Sequence, residues 1–175
     1  MGNTDKFDSI ANSYDNPERT RIAMVASDAI KEYLGDTRSK SAIDFGCGTG
    51  LVGMNLVNEF ESLLFMDTSE NMLDIVKKKI TDVGALNART LCFDFESSSQ
   101  PDLRADYIFM AQVLLHIQDY EAVLAKLHAV LNDEGHLLIV DFNKNDKVVS
   151  ELVHNGFDQE QLKALMLKIG RSEEH

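Results

Sequence analysis

From Ser41 onward the chain alternates short apolar runs with helical stretches, and this alternation restricts the fold more than any other property of the sequence. The runs are SAIDF (41–45), SLLFMD (62–67), ARTLCFD (88–94), ADYIFM (105–110) and GHLLIVDF (135–142). Between them, helical patterns begin near Gly50, after a cap at Thr68 or Ser69 and running to about Asp82, and at Asp119 running to about Leu131. Strands this apolar must be buried on both faces, which a parallel sheet achieves when right-handed crossovers place helices above and below it. The expected fold is therefore α/β: a doubly wound, mostly parallel sheet with helices on both faces. Ligands of such sheets sit outside the carboxyl ends of the strands, where strand order reverses. That rule selects Asp44 and the glycines after it, Asp67, Asp94, and the residues from Ala111 onward.

Two further helices flank this core. Asn16 can cap the first, Pro17 suits its first turn, and Ile22, Val25, Ala26, Ala29, Ile30 and Tyr33 recur at helical spacing before Gly35. In FDQEQLKALMLKIG, Asp158 can cap a helix whose Leu162, Leu165, Met166 and Ile169 form one stripe. With no repeats or low-complexity tract, residues 1–175 read as a single domain: an N-terminal piece to 35, a core over 41–142, and a C-terminal helix region over 143–175.

Charge bears on the partner. The chain has 29 acidic and 17 basic side chains and a net charge of -12, which repels phosphate backbones and anionic lipid and suits a small-molecule partner. No segment approaches the roughly 18 consecutive apolar residues of a membrane span, and the polar start is no signal peptide, so a soluble, cytoplasmic protein is expected. Cys47 and Cys92 lack ligand spacing and are read as reduced thiols, with no metal site.

The stretch AIDFGCGTGLVG (42–53) places a glycine turn between the first strand and its helix. A nucleoside triphosphate loop needs G-x-x-x-x-G-K-[ST], and no lysine occurs from 41 to 76. A dinucleotide loop needs G-x-G-x-x-G/A, and Leu51 stands where the third small residue belongs. What the stretch spells is D-x-G-x-G-x-G, through Asp44, Gly46, Gly48 and Gly50.

In this it resembles the class I S-adenosylmethionine-dependent methyltransferases, of the small-molecule type, with their Rossmann-like fold. The resemblance implies S-adenosyl-L-methionine as cofactor and S-adenosyl-L-homocysteine as product. Asp44 would attract the ammonium, and the turn from Gly46 through Cys47 and Gly48 to Gly50 would carry the methionine chain, its backbone N–H groups receiving the carboxylate. Asp67 would accept the ribose hydroxyls, with Thr68 and Met72 beside the sugar and the adenine. CFDFE (92–96) resembles the third-strand motif, in which Asp94 and the backbone of Phe95 would meet the adenine edge. ADYIFMAQVLLHIQD (105–119) resembles the fourth-strand motif, with Ala111 and Gln112 along the methionine portion. FDSIANSYD (7–15) resembles a lid folded over the cofactor, which would put Tyr14 near the sulfonium; a Tyr14 that packs the first helix is the other reading. His116 is either a base toward the acceptor or a residue that orders the loop after the fourth strand.

Methyl transfer by in-line displacement needs alignment and exclusion of water, so neither a metal nor a catalytic nucleophile is expected. The segment AQVLLH lacks the Asn-Pro-Pro-aromatic signature, and the implied acceptor is a small metabolite. The family's sheet ends in an antiparallel hairpin, for which no segment is evident after the final helix. A five-stranded parallel core would then leave the fifth strand with a bare edge, open to a second copy of the chain. The missing hairpin also keeps open an alternative function: a non-catalytic module of the same fold that holds S-adenosylmethionine or S-adenosylhomocysteine as a sensor or partner subunit.

Overall fold

The computed structural model describes residues 15–95, 102–111, 120–142 and 148–154. Helix α1 (Pro17–Tyr33) starts as the sequence indicates, with Pro17 in the first turn and the Asn16 side chain accepting from the Arg19 amide. Then come β1 (Ser41–Phe45), α2 (Leu51–Leu56) with a 3-10 turn over Val57–Glu59, and β2 (Ser62–Asp67). The second half comprises α3 (Glu70–Val83), β3 (Ala88–Cys92), β4 (Ala105–Ala111), α4 (Tyr120–Val130), β5 (Leu131–Phe142) and β6 (Val148–His154).

The strands form one sheet in the order β3-β2-β1-β4-β5-β6. The first five are parallel, β1 pairing with β2 on one side and β4 on the other. After β3 the chain returns across β1 to build outward in the opposite direction. The reversal lies between β1 and β4, and the crevice opens there.

β6 was not anticipated. It runs antiparallel to β5 from His136↔His154 to Phe142↔Val148. Two expectations are corrected by it. Residues 143–175 are not purely a helix region, and β5 is not a bare edge, so the argument for a second copy covering that edge lapses. VVSELVH is rich in β-branched residues, but seven residues beyond the polar NKND segment show too short a pattern to separate strand from loop. The expected helix over 158–169 lies outside the described residues.

Strand alternation divides the core into two layers. Ile43, Phe45, Leu64 and Met66 pack with Val123, Leu124 and Leu127 of α4 on one face. Ala42, Leu63 and Phe65 pack with Ala26 and Ile30 of α1, Leu56 of α2 and Val76 of α3 on the other. Asp44, two residues from Ala42 along β1, belongs to this second face. A polar bond then fastens α1 to α2: Asn55 Nδ2 donates to Ser27 Oγ at 3.1 Å, and Ser27 Oγ is itself held within α1 by donating to the Ala23 carbonyl at 2.7 Å.

Gly53 lets α2 approach the sheet. A Cβ there would lie 2.3 Å from Phe65 Cε1 and 2.6 Å from Asp44 Oδ2. Gly53→Ala gains about 1 kcal/mol of helix propensity, but overpacking costs about 1–3 kcal/mol or more. A net loss of about 1 kcal/mol or more in urea unfolding is expected, and an unchanged midpoint would refute this account of Gly53.

Candidate functional site

The loop after β1 closes over the crevice in a turn with Gly46, Gly48 and Gly50 at φ of 69°, 56° and 83°. L side chains rarely tolerate these values. The glycines differ in what surrounds them. A Cβ on Gly50 would sit 3.1 Å from Val76 Cγ2, so Gly50 serves packing between the turn and α3. A Cβ on Gly48 would meet nothing within 4 Å, because Gly48 faces the open cleft. A side chain there would fill space that a ligand can use.

The cleft has a volume of about 770 Å³, within the roughly 300–1,000 Å³ of small-molecule sites. The glycine turn contributes Gly46, Cys47 and Gly48 to its wall, β2 and α3 contribute Asp67 and Met72, and the end of β4 contributes Ala111. All six are residues the sequence singled out. Asp44, Gly50, Thr68, Asp94 and Phe95 are not on that wall: Asp44 is buried beneath the turn, Thr68 is exposed, and Phe95 is a core residue. Its ring packs edge-on to Phe45 and Phe93 at 5.2 and 5.0 Å, and its carbonyl accepts from Lys126 Nζ. Tyr14, Gln112 and His116 lie outside the described residues.

Asp67 is the polar hub of the cleft. Its Oδ2 accepts from the Gly48 amide at 2.8 Å and its Oδ1 from the Ser69 amide at 2.9 Å. The Ser69 side chain caps α3 by accepting from the Met72 amide. A carboxylate offers about four lone-pair positions, so each oxygen keeps one for a ligand hydroxyl. Three more turn amides, those of Gly46, Cys47 and Gly50, are committed inside the protein. Gly46 and Cys47 donate to the Met66 carbonyl at 2.8 and 3.0 Å, and Gly50 donates to the Cys47 carbonyl at 2.9 Å. The amides of Gly46, Cys47, Gly48 and Gly50 are therefore already engaged within the protein.

Asp44 is 2 % exposed, and its Oδ2 has no hydrogen-bond partner. Burial raises its pKa to about 8, helped by repulsion from Asp67 and opposed by the Gly53 amide. Burial likewise pushes the Cys47 thiol far up, with Asp44 and Asp67 adding to the effect, so Cys47 lines the cleft as a neutral thiol rather than a nucleophile. Among the described residues no group of His, Cys, Asp and Glu is placed to hold a metal ion.

Several participants escaped the sequence reading. Asn16 and Arg19 of the α1 region also line the cleft. Arg19 stands at the start of the helix face that continues through Ala23, Ala26 and Ile30, all buried. An arginine at the head of an apolar stripe was the available signal.

A family model described as a methyltransferase domain matches residues 18–168, most of the chain. This chain belongs to the methyltransferase domain family. The domain is 26% identical over 124 residues to (S)-coclaurine N-methyltransferase of Papaver somniferum, covering 70% of this chain and 34% of that protein. It is 27% identical over 110 residues to the ubiquinone biosynthesis O-methyltransferase of Coxiella burnetii, covering 63% of this chain and 47% of that protein. This methyltransferase domain thus spans a third to a half of the length of these curated relatives. Among solved structures it superposes on a SAM-dependent methyltransferase from Aquifex aeolicus with a TM-score of 0.67 at 22% identity, covering 79% of this chain and 74% of that one. That similarity establishes the fold.

Proposed function

We propose that this methyltransferase domain binds S-adenosylmethionine in the cleft beneath the glycine turn and directs its methyl group to a small-molecule acceptor. The observation that carries the reading is the joint geometry of Gly48 and Asp67: an open surface with no Cβ beside a carboxylate with unused acceptor positions. Those two features fit a ligand whose chain lies flat on the backbone and whose adjacent sugar presents paired hydroxyls. Met72 adds an apolar, polarizable surface next to the sugar position. Asp94 and the Phe95 backbone remain assigned to the adenine edge by their place after β3, and Thr68 to the side of the sugar and adenine.

Charge matches the amino-acid end of the same ligand. Asp67 on the wall favours an ammonium and a sulfonium, while Asp44 beneath the turn keeps its proton below about pH 8 until such a charge stands above it. Arg19, which also lines the cleft, receives the carboxylate, the amides of Gly46, Cys47, Gly48 and Gly50 being engaged within the protein. Arg19→Gln is expected to weaken S-adenosylhomocysteine binding by about tenfold, the loss of roughly one charge-assisted hydrogen bond. Equal affinity by titration calorimetry would remove Arg19 from the site.

When bound, S-adenosylmethionine supplies a methyl group already activated by positive sulfur. The protein's own part is to fix the donor between the α1 wall and the turn, align an acceptor, and keep water out. Cys47, held as a neutral thiol, does not compete for the methyl group. A net charge of -12 supports a small-molecule acceptor over a phosphate backbone, and no described helix is long and apolar enough to cross a membrane. Titration with S-adenosylhomocysteine, followed by incubation of labelled donor with a metabolite extract, tests the reading. Binding together with a labelled small product is the expected result. Binding without a product would favour the sensor module, and no binding would overturn the cofactor.

A further inference from the structure

Three chain segments meet at one side chain outside the cleft. Lys79 of α3 forms an ion pair with Asp15 Oδ2 at 2.6 Å, and its Nζ also donates to the Thr49 carbonyl at 2.7 Å. The Thr49 hydroxyl closes the triangle by donating to Asp15 Oδ1 at 2.5 Å. The group is well shielded: the side chains of Lys79 and Asp15 are 26% and 19% exposed, and Thr49 is buried at 7%. Its position is equally specific. Asp15 directly precedes Asn16, the cap of α1, and Thr49 lies between Gly48 and Gly50 in the turn. Lys79 does not line the cleft.

We infer that Lys79 is a positioning residue that latches the entry of α1 to the glycine turn, setting the gap between the Arg19 wall and the Gly48–Asp67 wall. This rests on the cofactor reading above, because the gap is what the ligand spans. The physical basis is preorganisation. α1 is fastened to α2 by Ser27 near its middle, whereas the described bonds from its entry to the glycine turn and α3 run through Asp15. Without the latch, the wall bearing Asn16 and Arg19 pivots about the Ser27 anchor, and binding must then order it at a cost in affinity. The Lys79 bond to the Thr49 carbonyl also holds the peptide joining Thr49 to Gly50, and through it the turn.

The test compares Lys79→Met, Lys79→Arg, Asp15→Asn and the Lys79→Met/Asp15→Asn double variant by S-adenosylhomocysteine calorimetry, and by amide hydrogen exchange on the ligand-free protein. Lys79→Met is expected to lower affinity on the order of tenfold and to speed exchange in residues 46–50 and the first turn of α1. Asp15→Asn should add little to it, and Lys79→Arg should recover most of the loss. Unchanged affinity and exchange in Lys79→Met, or fully additive effects of the two substitutions, would overturn the latch. If the wild-type protein bound no S-adenosylhomocysteine, the cofactor reading would fall instead, and the exchange comparison in the free protein would still decide whether Lys79 holds α1 to the turn.

Discussion

Replacing Asp67 by alanine is expected to weaken S-adenosylhomocysteine binding on the order of a hundredfold, with only a small change in thermal stability. Each charge-assisted hydrogen bond lost from a ligand hydroxyl is worth about 1.5–3 kcal/mol, and about 3 kcal/mol corresponds to that change in affinity. The substitution also deprives the Gly48 and Ser69 amides of their acceptor. Both lie at the cleft surface, where water can replace the carboxylate, so the fold is spared while the turn loses one tie to β2 and keeps those from Gly46 and Cys47 to the Met66 carbonyl. Asp67→Asn keeps one acceptor oxygen and should fall between wild type and alanine. Calorimetry and a melting curve on the same samples separate the effects. An alanine variant that binds as tightly as wild type would exclude Asp67 from the ribose role.

The second large effect is on stability as a function of pH. Asp44 has a folded pKa of about 8 against an unfolded value of 3.8, because burial disfavours its charge and Asp67 repels it. Between those values the folded protein retains a proton that the unfolded chain has released, so the contribution to stability is complete below about pH 4 and is lost as pH rises toward 8. Within that window the loss is about 1.4 kcal/mol per pH unit. Other carboxylates also titrate at the acid end, and a difference measurement removes them. Asp44→Asn mimics the protonated side chain, so it should match wild type near the acid end of the window and exceed it in urea unfolding at about pH 8. Parallel stability profiles for the two proteins would show that Asp44 is ionised in the fold. A cationic ligand above the turn favours the charged form, so cofactor binding near neutral pH should release a proton, visible as a calorimetric heat that depends on the buffer.

Much of the scaffold was legible because its signals are local. β1 and β2 have the bounds of the apolar runs SAIDF and SLLFMD, and Ser69 caps α3 where a Ser or Thr was expected. Asn16 and Pro17 start α1 through capping geometry contained in a few adjacent residues. β6 was missed because a short valine-rich run declares itself only when β5 pairs with it. Gly53 was visible as one more glycine in the stretch, but its role depends on Phe65, a residue of the neighbouring strand.

The candidate site divides along the same line. Asp44, Gly46, Gly48, Gly50 and Asp67 were recognised as a set, because turn glycines and strand-end acids occupy fixed places in the chain. Their individual roles were not readable. Strand alternation turns Asp44 toward the α1 and α2 side of the sheet, yet only the close approach of α2 at Gly53 seals it beneath the turn and away from the cleft. The turn amides looked available in the sequence, but those of Gly46, Cys47, Gly48 and Gly50 have Met66, Asp67 and Cys47 as acceptors, chosen by how the loop folds back on β2.

By itself, then, the sequence determined the order of the first five strands and the helices between them, the parallel sheet with its crevice after β1, and a glycine turn suited to neither a triphosphate nor a dinucleotide. These follow from apolar periodicity, capping and backbone sterics, all of which act over a few residues. Only the tertiary structure decided which acid lines the cleft, that Arg19 lines it too, and that Lys79 pairs with Asp15 and the Thr49 carbonyl. Those depend on distances between segments far apart in the chain, which are set by packing.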